Sequence, residues 1–145
     1  PDSIRACAQP LLHTAPGARS PDLASVYSEC HSHELDNPAV VKVVTDLDGF
    51  ALFFSRYAIP YPRNTRIGPV KKHVGIYAYR REALLAFAGW DPTPLEQTES
   101  LEQLRFLEHG YRMIMCEGAG SELAVDTPEQ AEEVRAILFA RGLEA

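Results

Sequence analysis

Apolar positions recur along this chain with two spacings, and the spacings divide it into helices and strands. Ile4, Cys7 and Leu11 fall on one face of residues 2–12, the repeat of an amphipathic helix, with Asp2 or Ser3 as its cap. Pro10 lacks an N–H and crowds the preceding turn, so this helix is expected to end near Ala8 or Gln9. APGARSP (residues 15–21) reads as a turn-rich connection. Residues 23–29 mix β-branched and aromatic side chains and read as a strand. Residues 31–37 are polar, stop at Pro38, and read as a loop or a single helical turn.

The clearest strand signal comes next. Two apolar runs, 40–44 and 50–54, flank Asp46-Leu47-Asp48-Gly49. Asp-Gly between apolar runs signals a hairpin, because both residues tolerate the backbone of tight β-turns. Residues 57–72, with Pro60, Pro62, Gly68 and Pro69, predict a long loop of the kind that often carries function. HVGIYAY (73–79) alternates, with His73, Gly75, Tyr77 and Tyr79 on one face and Val74, Ile76 and Ala78 on the other. Residues 80–88 predict a helix closed by Gly89. Thr93-Pro94-Leu95-Glu96 and Thr127-Pro128-Glu129-Gln130 are two helix starts of one design: a Thr cap, a preorganised Pro and an acid or amide at N3. The first helix is expected to run to about His109, using Leu101, Leu104, Phe106 and Leu107. The second should run to about Arg141, burying Val134, Ile137 and Leu138. Residues 111–116 and 122–125 predict strands. The alternation implies an α/β domain spanning 1–145, with helices flanking a mixed sheet.

Composition narrows the function classes. The 145 residues are 46% hydrophobic and 23% charged, ordinary for one globular domain, with a net charge of −6. An acidic balance argues against nucleic acid as partner, since a phosphate backbone calls for a Lys/Arg surplus. Cys7, Cys30 and Cys116 are odd in number and widely spaced, which predicts reduced thiols in a cytosolic protein. No apolar run reaches the roughly 18–20 residues that span a bilayer, so no membrane partner is expected. The chain opens at Pro1 directly into a helix-like segment, and a preceding portion is therefore expected.

Several side-chain groups carry candidate chemistry. Asp46 and Asp48 have the spacing of the DxDG motif of haloacid-dehalogenase-type phosphatases, but Phe50 and the second apolar run favour a plain hairpin turn. Cys30, His31, His33 and Glu34 lack the second ligand pair of a zinc site and read as a solvated loop. Lys71-Lys72 and Arg80-Arg81 read as solvated strand ends. His73 and Tyr77 project from one face beside Gly75, either as packing or as a ligand surface. Glu99, Glu102 and Gln103 share a helical face and, taken alone, read as a solvated stripe. Asp126 follows a strand and precedes a helix cap, a place for a metal ligand or for helix-start electrostatics.

Four collinear blocks join these observations: NPAVVKVVTDLDGFALFFSRYAIP, HVGIYAYR, PTPLEQTESLEQLRFLEHG and VDTPEQAEEVRAIL. Their order and spacing, over about residues 37–141, resemble those of the 3-deoxy-manno-octulosonate (Kdo) cytidylyltransferases. The resemblance implies a nucleotide-diphospho-sugar transferase-like fold and a cytoplasmic homodimer. It implies transfer of CMP from CTP to Kdo, with Mg²⁺ and release of pyrophosphate, for lipopolysaccharide synthesis. By position it implies that Arg56, His73, Tyr77, Glu102 and Gln103 bind the sugar and that Asp126 binds Mg²⁺. The family's PARxxSxRxPxKP-type and GDEP-type segments, which hold CTP and the other metal aspartate, are not among these 145 residues. The expectation is thus the C-terminal part of the enzyme domain, inactive alone. A synthetase for another ulosonic acid, or a noncatalytic sugar-binding or dimerisation module, is the alternative.

Overall fold

Strand β1 (Leu23–Glu29) is the pivot of the molecule. It pairs antiparallel with β4 (Lys71–Tyr79) on one side and parallel with β5 (Met113–Glu117) on the other. β2 (Lys42–Thr45) and β3 (Ala51–Ser55) complete a mixed sheet of order β3-β2-β4-β1-β5. This computed structural model describes residues 2–13, 17, 19–118 and 128–140. The mixed sheet flanked by helices agrees with the expected α/β class. A strand covered on both faces is apolar or small throughout, and Leu23, Ala24, Ser25 and Val26 are each fully buried.

The two faces of the sheet carry separate cores. Over one lie α2 (Arg81–Phe87), α3 (Pro94–Glu99) and α4 (Gln103–Glu108), closing on Leu23, Val43, Phe54, Leu104, Phe106 and Met113. Over the other lies α1 (Asp2–Leu12), with Cys7 against Ala24 and Val26. The alternation of residues 73–79 is the divider, since Tyr77 and Tyr79 join the first core while Val74, Ile76 and Ala78 join the second.

The hairpin forms where Asp-Gly predicts it, with a longer turn. Asp46 N–H bonds to Phe50 O, Gly49 N–H returns to Asp46 O, and only Gly49 takes a positive φ, of 86°. That is a three-residue loop ending in a left-handed glycine. Asp46 Oδ1 accepts from the N–H groups of Asp48 and Phe50, and Oδ2 from Arg19 at 2.7 Å. With Asp46 committed to the turn and Asp48 on its exposed side, the phosphatase reading is set aside. The turn also reaches across to the far edge of the sheet: Met115 N–H donates to Gly49 O, and Phe50 bridges Ile114.

Four expectations need correction. Helix α1 continues through Pro10 to Leu12, and His13 N–H still reaches Gln9 O at 3.0 Å. Proline deletes one bond near the end of a helix whose face is already seated on the sheet by Cys7, 1% exposed. The helix expected over 93–109 is two helices, α3 and α4, because Ser100 between them is left-handed with φ 53°. Three of the four basic residues are internal fasteners rather than solvated ends, while Arg81 is exposed. Lys71 Nζ donates to Thr45 Oγ1 and lies over the Tyr27 ring, Lys72 pairs with Glu34 at 2.6 Å, and Arg80 Nε holds Pro21 O. In α5 (Pro128–Ala140), Val134 and Ile137 are half-buried but Leu138 is exposed, because no other described element packs extensively on that helix. The strand expected at 122–125 and Asp126 lie outside the described residues. Among the described residues no helix is long and apolar enough to cross a membrane.

Candidate functional site

The break between α3 and α4 builds the site. Glu96, at N3 of α3, accepts the Thr93 N–H and a fork from Arg105, whose Nε lies at 2.6 Å and whose Nη2 meets the other oxygen. The Arg105 bonds hold this buried carboxyl below its ordinary pKa. Arg105 also lies over the Phe87 ring at 4.2 Å, tying α4 to α2. At Ser100 the chain turns left-handed and Leu101 N–H closes on Glu96 O. Glu102 and Gln103 follow immediately, at the start of α4.

Arg56, at the end of β3, grips this break. Its Nε donates to Glu99 O at 2.8 Å, Nη2 to Ser100 O at 3.1 Å and Nη1 to Pro38 O at 2.9 Å. The Glu99 carboxylate returns the contact, accepting from Ser55 Oγ and from Arg56 N–H. Glu99 is therefore a strut between α3 and β3 instead of part of a solvated stripe.

Beyond the break lies a cavity of about 180 Å³, walled by Tyr77 and Tyr79 of β4 and by Ser100, Glu102 and Gln103, with Phe106 beneath. Gln103 is only 6% exposed, and no described group hydrogen-bonds its amide. Burial raises the Tyr77 hydroxyl far above its ordinary pKa, with Tyr79 and Glu102 adding to the shift. Tyr79 is raised by burial and then by Glu102. Both phenols stay protonated at neutral pH, so the wall offers hydroxyl donors, one amide and one carboxylate. Such a set matches a polyhydroxylated ligand.

His73 stands next to this wall, its ring 5.3 Å from Tyr77 and edge-on to Phe54 at 5.1 Å. Its Nε2 lies 2.8 Å from Ser25 Oγ, and Ser25 directs its single hydroxyl proton to Ile76 O at 2.9 Å. Satisfying both contacts requires His73 Nε2–H to donate to Ser25, which leaves Nδ1 as an acceptor. Burial depresses the imidazole pKa to about 4, so the ring is neutral at physiological pH.

Of the residues marked by the sequence, Tyr77, Glu102 and Gln103 meet at one cavity and His73 packs against Tyr77. Arg56 lies on the other side of the break, beside a separate surface hollow shared with Pro38, Tyr57, Thr98 and Glu99. Tyr79 was not singled out as a site residue, although its alternation with 73 and 77 places it on the same face. Ser100 carries no sequence signal, being neither Gly nor Asn. Among the described residues no trio of His, Cys, Asp or Glu could hold a metal ion. Near Cys30, Glu34 accepts from Lys72 and from His31 N–H.

Comparison with known proteins places this geometry in a family. The family profile described as cytidylyltransferase matches residues 3–115. The 3-deoxy-manno-octulosonate cytidylyltransferase of Acidobacterium capsulatum is 48% identical over 114 residues, covering 77% of this chain and 46% of that protein. Its counterpart in Dichelobacter nodosus is 41% identical over 141 residues, covering 94% of this chain and 55% of that protein. A solved structure of CMP:2-keto-3-deoxy-manno-octonic acid synthetase complexed with CTP aligns with a TM-score of 0.81 at 39% identity, covering 90% of this chain and 54% of that one. The chain spans about half the length of the curated relatives it matches. A profile covering most of the chain, together with a neighbour of the same fold, leads to one conclusion: the chain belongs to the cytidylyltransferase family.

Proposed function

We propose that this chain is the acidic-sugar-binding part of an enzyme that transfers CMP from CTP to Kdo. The observation that carries the reading is the cavity in which Tyr77, Glu102 and the Gln103 amide, without a partner among the described residues, converge. An amide that lines a cavity and holds no partner among the described residues is open to a ligand's hydroxyl or carboxylate group. Tyr77 and Tyr79 donate, Glu102 accepts from sugar hydroxyls, and Gln103 does both. His73, neutral, backs Tyr77. Arg56 enters through Ser100, whose carbonyl it holds.

In this reaction a Kdo hydroxyl oxygen bonds to the α-phosphorus of CTP and gives up its proton to solvent, the bond from that phosphorus to the oxygen bridging it to the β-phosphate breaks, and pyrophosphate leaves with that electron pair. The described residues orient the sugar for that attack. Mg²⁺ would supply charge neutralisation at the triphosphate, with Asp126 as its ligand in this chain. The described residues alone form no metal site, so no step is derived through the ion. A homodimer, a cytoplasmic location, a role in lipopolysaccharide synthesis and inactivity of the 145 residues by themselves belong to the same proposal.

The test is calorimetric titration of the 145-residue chain with Kdo, beside pyrophosphate release with CTP, Kdo and Mg²⁺. Kdo should bind, Gln103→Ala should weaken binding about tenfold, and no pyrophosphate should appear. Absence of Kdo binding, or a Gln103→Ala variant that binds like wild type, would overturn the reading. Tighter binding of an 8-amino ulosonic acid would move it to that sugar.

A further inference from the structure

We propose that Arg56 and Glu99 are positioning residues: together they lock the left-handed turn at Ser100, and Arg56 acts through that turn instead of touching the sugar. The inference rests on the sugar-binding reading of the cavity.

The argument begins with what Arg56 already holds. Three of its five guanidinium N–H groups meet carbonyls at 2.8–3.1 Å, those of Glu99, Ser100 and Pro38. Its main-chain N–H is taken by Glu99 Oε2 at 3.0 Å. Its main-chain carbonyl accepts from Lys42 Nζ at 2.9 Å. Lys42 is itself fully buried and spends a second bond on Asn37 O at 2.8 Å. Ser55 Oγ takes the other Glu99 oxygen at 2.8 Å. Arg56 is thus fixed at backbone and side chain together, between β2, β3 and the end of α3.

The place it grips explains why. Carbonyls at a helix C-terminus have no partner within the helix and carry partial negative charge. A guanidinium fork satisfies two of them at once. The residue held is one whose conformation disfavours a side chain with a Cβ: Ser100 has φ 53°. Were this turn to relax into helix, α3 would run on, and each later residue would project about 100° further around the axis. Glu102 and Gln103 would then no longer face Tyr77 and Tyr79. The clamp on Ser100 therefore sets the direction of two cavity residues that neither Arg56 nor Glu99 is seen to touch.

Arg56→Lys keeps the charge but loses the fork, and Glu99→Ala removes the strut from the side remote from the cavity. Each variant of the 145-residue chain is compared with wild type by amide hydrogen exchange and by Kdo titration. Leu101 and Leu104 report on the turn, since their N–H groups bond to Glu96 O and Leu101 O at 3.1 Å. Both variants should speed exchange at these two amides about tenfold, leave the β1–β4 amides protected, and weaken Kdo binding about tenfold. Glu99→Gln serves in place of Glu99→Ala if the latter does not fold. Unchanged exchange at Leu101 and Leu104, with binding lost only in Arg56→Lys, would make Arg56 a ligand contact and refute the proposal. Equal acceleration across β1 and β4 would refute it as well, reducing the clamp to general stability. If wild type binds no Kdo, the sugar reading fails separately, and the exchange pattern alone decides the role of the clamp.

Discussion

Acidification should weaken this fold through one side chain, His73. The ordinary imidazole pKa of 6.5 falls to about 4 in the folded chain, because burial between Ser25, Phe54 and Tyr77 denies the charged form its water. Between those two values the unfolded chain binds a proton that the folded chain refuses, so unfolding becomes easier as pH drops. The stabilisation is complete above the unfolded pKa and disappears as pH falls toward the folded one. At 1.36 kcal/mol per pKa unit the whole effect is about 3 kcal/mol, of which about 2 kcal/mol is lost by pH 5. Urea unfolding of wild type and His73→Gln at about pH 7.5 and about pH 5 measures it. Glutamine retains an N–H for Ser25 Oγ but has nothing to titrate, and the carboxylates common to both proteins cancel in the difference. Wild type should lose about 2 kcal/mol more than the variant over that interval. Equal losses, or an NMR titration of the His73 ring centred near 6.5, would refute the argument. By the same reasoning, Kdo binding should show no step near neutral pH that His73→Gln abolishes.

Two further substitutions probe the scaffold, one beside the cavity and one on the opposite face of the sheet. Glu96→Gln removes the anion from the Arg105 fork and should lower the urea midpoint at neutral pH; because the Glu96 carboxyl is held below its ordinary value, that difference should shrink once pH falls below the usual carboxylate range, and a variant as stable as wild type would remove the pair from the account. Gly118→Ala places a Cβ 2.6 Å from Val26 Cγ1 and 3.1 Å from Ser3 Oγ, where a fully buried β-branched side chain has little room to move, so a loss of about 1–3 kcal/mol is expected by thermal or urea unfolding.

What the sequence made legible was local. Asp48-Gly49 announced the hairpin, since a left-handed glycine is a demand one residue meets alone. The alternation of 73–79 announced a strand with two different faces and put Tyr77 on the correct one. What stayed hidden depends on residues distant in the chain. Nothing near Pro10 shows that the sheet is already holding Cys7. Nothing in TESLEQ shows that Arg56, more than forty positions earlier, is waiting to stabilise a left-handed serine. Glu99 looked like surface for the same reason. The cavity set of Tyr77, Glu102 and Gln103 was readable only by resemblance, because two elements far apart in sequence supply it. The family match also begins at residue 3, well before the first recognised block.

The sheet order has a consequence for biosynthesis. β1 leaves the ribosome before both of its neighbours: β4 starts at Lys71 and β5 only at Met113, 84 residues after Glu29. At roughly 5–20 residues per second, a strand destined for the middle of the domain waits about 4–17 s for its last partner. Until β5 arrives, one hydrogen-bonding edge of this apolar strand is available to other nascent chains, so the yield of folded protein should depend on translation speed and on chaperones that shield extended segments.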